Sequence, residues 1–118
     1  MSRFVILQHD VSDGLHFDLM LEAGTYLKTW KLREPPQPGV EQSCEALPDH
    51  RLAYLDYEGP VSGERGSVSR WDHGACQVER QDAATWIVRL TGEKTVGTVT
   101  LRRESETSNG WRLQLVAT

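Results

Sequence analysis

Between Leu15 and Glu22 the chain alternates strictly: Leu15, Phe17, Leu19 and Leu21 fall in one phase, His16, Asp18, Met20 and Glu22 in the other. A period of two belongs to an extended strand with one buried face, because successive side chains point to opposite sides of a sheet. Strand-length runs recur at Phe4–His9, Tyr26–Leu32, Leu52–Tyr57, Ser67–Trp71, Ala75–Arg80, Thr85–Leu90, Thr95–Arg102 and Trp111–Val116. Between them stand turn formers: Asp10 to Gly14, Glu22 to Thr25, Glu58 to Pro60, Ser62 to Gly66, Asp72 to Gly74, and the polar tip before Trp111. Runs spaced roughly eight to twelve residues apart predict an antiparallel sandwich or a closed barrel. Arg33–Ser43 carries Pro35, Pro36 and Pro38 and is expected to be a surface loop. Cys44–His50 is expected to hold a short turn of helix ahead of Pro48. The fold class is mainly β.

At 118 residues the chain is read as one domain, spanning 1–118, with room for one hydrophobic core. No apolar run approaches the roughly 20 residues a membrane helix needs. Polar residues arrive too early for a signal peptide, so the cytoplasm is the expected location and no membrane partner is expected. The formal net charge of −4 argues against gripping nucleic acid mainly through a basic surface. It leaves open a site for one terminal phosphate, where a metal supplies the positive charge locally. Cys44 and Cys76 stand in no metal-ligand spacing and are expected to be reduced and without a role.

Three candidate metal ligands lie close together in the sequence: His9, His16 and Asp18. A strand points His16 and Asp18 to the same face, whereas His9, in the phase of Val5 and Leu7, meets them only across a neighbouring strand. Two imidazoles and a carboxylate leave open positions on a divalent ion, which suits phosphate ester chemistry. Spacing alone also fits surface histidines and a turn aspartate. His50 and Tyr54 are a second candidate pair, since imidazole can protonate a leaving oxygen and a phenol can donate to a phosphoryl oxygen. A loop histidine and a half-buried tyrosine fit the same residues. His73 is expected in a solvated turn, and the four tryptophans are read as core and sheet-edge packing rather than as a platform for bases.

The order of the motifs adds to this. His9 is followed by Leu15-His16-Phe17-Asp18-Leu19-Met20-Leu21-Glu22, then Leu27-Lys28-Thr29-Trp30, then Asp49-His50-Arg51-Leu52-Ala53-Tyr54 leading to Tyr57-Glu58-Gly59. Gly63-Glu64-Arg65-Gly66, Trp71-Asp72-His73-Gly74, and the ending Gly92, Lys94, Gly97, Leu101, Arg103 and Trp111-Arg112-Leu113 complete the series. Over essentially its whole length the chain resembles the 3′-phosphoesterase domain at the N-terminus of many bacterial DNA ligase D proteins, and its stand-alone relatives. The resemblance implies a compact antiparallel β-barrel with minor helical segments. It implies removal of a 3′-phosphate or a 3′-terminal ribonucleoside from nucleic acid ends in DNA repair, with manganese. By position, His9, His16 and Asp18 would hold the metal; His50 and Tyr54 would be catalytic, contacting the scissile phosphate, His50 as the better general acid. Ligand chemistry also admits zinc. A ligase or polymerase would be a partner in trans, and a monomer is expected.

Two departures bear on activity. The family's arginine two residues after the metal aspartate is Met20 here, and a thioether cannot clamp phosphate with a charged fork. The step from His9 to His16 is one residue longer than in the family, which Asp13-Gly14 is expected to absorb as a bulged turn. After Trp30, Glu34 falls at a family lysine, with Lys31 and Arg33 as available replacements. The first reading is therefore a metal-dependent phosphoesterase. The alternative is a metal-containing module that binds nucleic acid ends or a repair partner without turnover, and a barrel kept for a protein contact is a third.

Overall fold

The computed structural model describes residues 2–118. Nine strands follow in order: β1 (Ser2–Val11), β2 (Gly14–Ala23), β3 (Tyr26–Leu32), β4 (Glu41–His50), β5 (Gly59–Pro60), β6 (Ser67–Gln81), β7 (Thr85–Gly92), β8 (Val96–Arg103) and β9 (Gly110–Ala117). One 3-10 turn, Leu52–Leu55, is inserted after β4. Neighbours run β1-β2-β3-β4-β9-β8-β7-β6, and β6 returns to pair with β1, so eight antiparallel strands close on themselves while the two-residue β5 hangs from β6. Closure pairs the edges that an open sheet would leave bare. The barrel reading is borne out; the sandwich is not.

The alternation of period two fills the interior. Phe4, Ile6, Phe17, Leu19, Leu21, Trp30, Leu32, Val88, Leu90, Val99, Leu101, Leu113 and Leu115 form one core. Trp30 lies within it, with the rings of Trp86 and Trp111 edge-on at 5.5 and 5.6 Å. This is a favourable arrangement of ring quadrupoles. Leu15, in the same phase as Phe17, is instead 49% exposed, because it stands beyond the rim.

A second, smaller core lies on the outside of the wall. Val5, Leu7, Met20, Leu27, Leu55 and Val68 pack together there, with Leu52, Tyr54 and Val61 against them. The face of β2 read from sequence as polar therefore buries Met20 in an apolar cluster. The segment 51–66 folds back over it as a cover.

Three local expectations are corrected. Cys44–His50 is strand, not helix: Pro48 sits where the β3–β4 ladder shifts register between Leu27 and Thr29, and β4 pairs with β9 only through Glu45. A missing N–H costs little at such a bulge. Leu52–Leu55 is a 3-10 turn, not a strand, with Tyr54 N–H donating to Arg51 O at 3.1 Å and Asp56 N–H to Ala53 O at 3.2 Å. The three-residue period places Leu52 and Leu55 together on the second core. Asp72–Gly74 is no turn, because β6 runs straight through it, past a bulge opposite Ile6 and Leu7. The Asp72 carboxylate accepts hydrogen bonds from the N–H groups of His73, Glu93, Lys94 and Thr95, so it organises the turn between β7 and β8. At Gly74 a Cβ would stand 2.1 Å from Thr91 O, and glycine there lets β6 and β7 meet.

Cys44 and Cys76 are both buried and unpaired. Burial pushes the Cys44 thiol up to about 12 and the Cys76 thiol up to about 11. Neither forms appreciable thiolate near neutral pH. Dithionitrobenzoate at pH 8 is expected to label neither until denaturant is added; release of the chromophore from the native protein would contradict this. Among the described residues no helix is long and apolar enough to cross a membrane.

Candidate metal centre

The hairpin between β1 and β2 sets the site. Its loop is the two residues Ser12 and Asp13, and the pairing runs without a break from Val11↔Gly14 to Phe4↔Leu21. In that register His9 falls directly opposite His16, and Leu7 opposite Asp18. The longer step from His9 to His16 is thus absorbed by regular pairing and a tight turn, not by a bulge. Both ligand strands belong to the closed wall, which fixes their backbones.

The three side chains converge. His9 Nδ1 lies 3.1 Å from His16 Nε2 and 3.4 Å from Asp18 Oδ2, and His16 Nε2 lies 3.2 Å from Asp18 Oδ1. One donor atom from each residue lies within 4.8 Å of the others. Donors about 2.1 Å from an ion stand roughly 3.0 Å apart at neighbouring octahedral positions and roughly 3.4 Å apart at tetrahedral ones. The observed spacings fall in that range. Asp18 is only 4% exposed, and its Oδ1 is buried without a hydrogen-bond donor. An ionised oxygen in that position is costly unless a cation answers it. The residues fit a divalent metal.

Protonation favours the same role. His9 Nε2–H donates to the carbonyl of Arg65 at 2.6 Å, which leaves Nδ1 as the bare nitrogen facing the cluster. Fixing a ligand ring through its other nitrogen is the usual outer support of a metal histidine. Burial pushes the His16 imidazole below its ordinary range, against the pull of Asp18, and the charges of His9 and Lys31 add to that. Burial raises the Asp18 carboxyl, opposed by His16, His9 and His50. His16 is therefore held neutral, the form that binds metal.

Sequence reading missed the Arg65 carbonyl. A backbone oxygen has no residue signature, and the only hint was the turn Ser62–Gly66. Its reason is now visible: a Cβ at Gly66, where φ is +85°, would stand 1.9 Å from Asp10 O, so glycine lets the loop lie on β1 and bring Arg65 to His9.

His50 and Tyr54 lie together but apart from the triad. Their rings are 5.6 Å apart, edge to face, and Tyr57 continues the row at 5.7 Å from Tyr54. His50 Nδ1–H donates to Pro48 O at 2.9 Å, leaving Nε2 free to exchange a proton. Among the described residues no hydrogen bond joins this pair to the three ligands, although His50 is near enough for its charge to act on Asp18. Met20, 1% exposed, belongs to the second core, which Tyr54 helps to cover. His73 is in β6 rather than a turn, with Nε2 2.8 Å from the exposed Glu93 carboxylate, and takes no part in the cluster. Beside His16 an open groove of about 610 Å³ is lined by Leu15, Lys31 and Arg33 among others.

Comparison with known proteins places the chain in a family. Residues 7–103, which include all five candidate residues, match the family described as the DNA ligase D 3′-phosphoesterase domain. The chain is also similar to the multifunctional non-homologous end joining protein LigD of Pseudomonas aeruginosa, 36% identical over 78 residues that cover 62% of this chain and 9% of that protein. The match thus takes in less than a tenth of that relative's length. On the extent of the family match, this chain belongs to the DNA ligase D 3′-phosphoesterase domain family.

Proposed function

We propose that this protein is a metal-dependent phosphoesterase acting on nucleic acid 3′ ends, removing a 3′-phosphate or a 3′-terminal ribonucleoside in an end-joining form of DNA repair. The observation that carries the reading is the convergence of His9, His16 and Asp18 around a buried carboxylate oxygen that lacks any hydrogen-bond donor. Manganese is favoured by the family resemblance, and zinc shares the ligand chemistry. A divalent ion supplies positive charge to a phosphoryl oxygen when bound.

The rest falls to the chain. His9, held by the Arg65 carbonyl, and His16, held neutral by burial, turn Nδ1 and Nε2 toward the cluster from rigid strands. His50, oriented through Nδ1 by Pro48, can deliver a proton from Nε2 to the leaving oxygen. The Tyr54 hydroxyl can donate to a non-bridging phosphoryl oxygen. A ligase or polymerase acting in trans would use the trimmed end.

One observation favours a second reading, a module that binds ends without turnover: the side chain two residues beyond Asp18 is the buried Met20, which offers no charge to the phosphate. Purified protein with Mn²⁺ and a primer bearing a 3′-phosphate or a 3′-terminal ribonucleotide separates the two. Product is expected from the wild type and not from His16→Ala. Metal-dependent primer binding without product would select the module, and failure to bind metal would overturn both.

A further inference from the structure

Among the described residues, two cations beside the candidate ligands make no side-chain hydrogen bond. Lys31 pairs directly with Asp18 across β2–β3, and Arg33 follows just past the end of β3. Both side chains are exposed. Neither joins any ion pair among the described residues. They line the groove of about 610 Å³ that opens beside His16, with Asp13 and Glu45 as its acidic members. Glu45 faces Lys31 across β3–β4 without closing to it. Lys31 and His16 line the same groove, which sets Lys31 near the reacting phosphate of the proposed substrate. From β2 no comparable charge is available, since Met20 is buried in the second core.

We propose that Lys31 and Arg33 form a cationic rail that grips phosphates upstream of the reacting 3′ end, so that the strand reaches the metal centre along the groove flanking β3. The inference rests on the phosphoesterase reading and names its strand path. Confining the attraction to one groove reconciles a net charge of −4 with nucleic acid as substrate.

The test uses the Mn²⁺-loaded protein and a fluorescent single-stranded DNA ending in a 3′-hydroxyl, with anisotropy followed against salt. Each phosphate contact on a single strand contributes about 0.7 to the slope of log affinity on log salt, so its loss costs about fivefold near 0.1 M. Lys31→Ala with Arg33→Ala is expected to lower the slope by about 1.4 and the affinity by about 25-fold. Glu45→Gln should tighten binding, and Arg89→Ala, on β7, should leave it unchanged. Mn²⁺ affinity of the double variant should not fall below that of the wild type, which a merely structural role for these residues would not ensure. Unaltered slope and affinity in the double variant overturn the rail while leaving the phosphoesterase reading intact. A wild type that neither turns over primer nor binds DNA overturns that reading, and the rail with it.

Discussion

Replacing Asp18 by alanine is expected to lower Mn²⁺ affinity by at least about 100-fold and to abolish metal-dependent turnover. Changing a partner of a metal ligand costs about 10–100-fold, and Asp18 would itself be a ligand, the only anionic one of the three. The same variant should separate metal binding from folding. Asp18 Oδ1 is buried with no donor, so the metal-free fold bears the cost of a poorly solvated carboxylate. The thermal midpoint of the metal-free variant should therefore equal or exceed that of the wild type. Added Mn²⁺ stabilises the wild type by about 2.7 kcal/mol at 100 times its dissociation constant, and should leave the variant unmoved. Calorimetric titration and thermal melts check both halves. Affinity within tenfold of wild type would remove Asp18 from the site.

Asp72→Ala should cost about 3–5 kcal/mol of stability. The carboxylate is 2% exposed and accepts four backbone N–H groups, at 2.8 Å from His73, 2.8 Å from Glu93, 3.2 Å from Lys94 and 2.7 Å from Thr95. Hydrogen bonds to a charged group contribute about 1.5–3 kcal/mol each, and buried donors left orphaned add their desolvation cost. Shortfall from simple addition is expected, because water reaches the exposed turn once the carboxylate is gone. Asp72→Asn, which keeps one acceptor, should lose less. Urea unfolding reads the difference, and a loss under 1 kcal/mol would show that the turn stands without its carboxylate. The residue also explains the Trp71-Asp72-His73-Gly74 motif, which ties β6 to β7 and to the turn that follows it.

The strands were legible because each buries one face, and the alternation from Leu15 to Glu22 shows that directly. The exceptions are instructive. Pro48 suggested a helix end, yet it lies in a strand whose ladder slips at that point, a fact held by Leu27 and Thr29 on another strand. Asp72 and Gly74 read as turn residues, yet each serves its neighbour: one caps a turn twenty residues away in the chain, the other admits Thr91. Composition identified residues able to make a turn, but not whose turn it was.

By itself the sequence determined the mainly β class, the family, and a strand pointing His16 and Asp18 to one side. These follow from local periodicity and motif order, which need no distant contacts. Only the tertiary structure decided that His9 stands opposite His16, that Arg65 lends its carbonyl from a loop over β1, and that Met20 is sealed in an outer core. Each depends on how strands register and how the 51–66 segment folds back. Pairing of that kind is fixed by the closed wall as a whole, and not by any one stretch of residues.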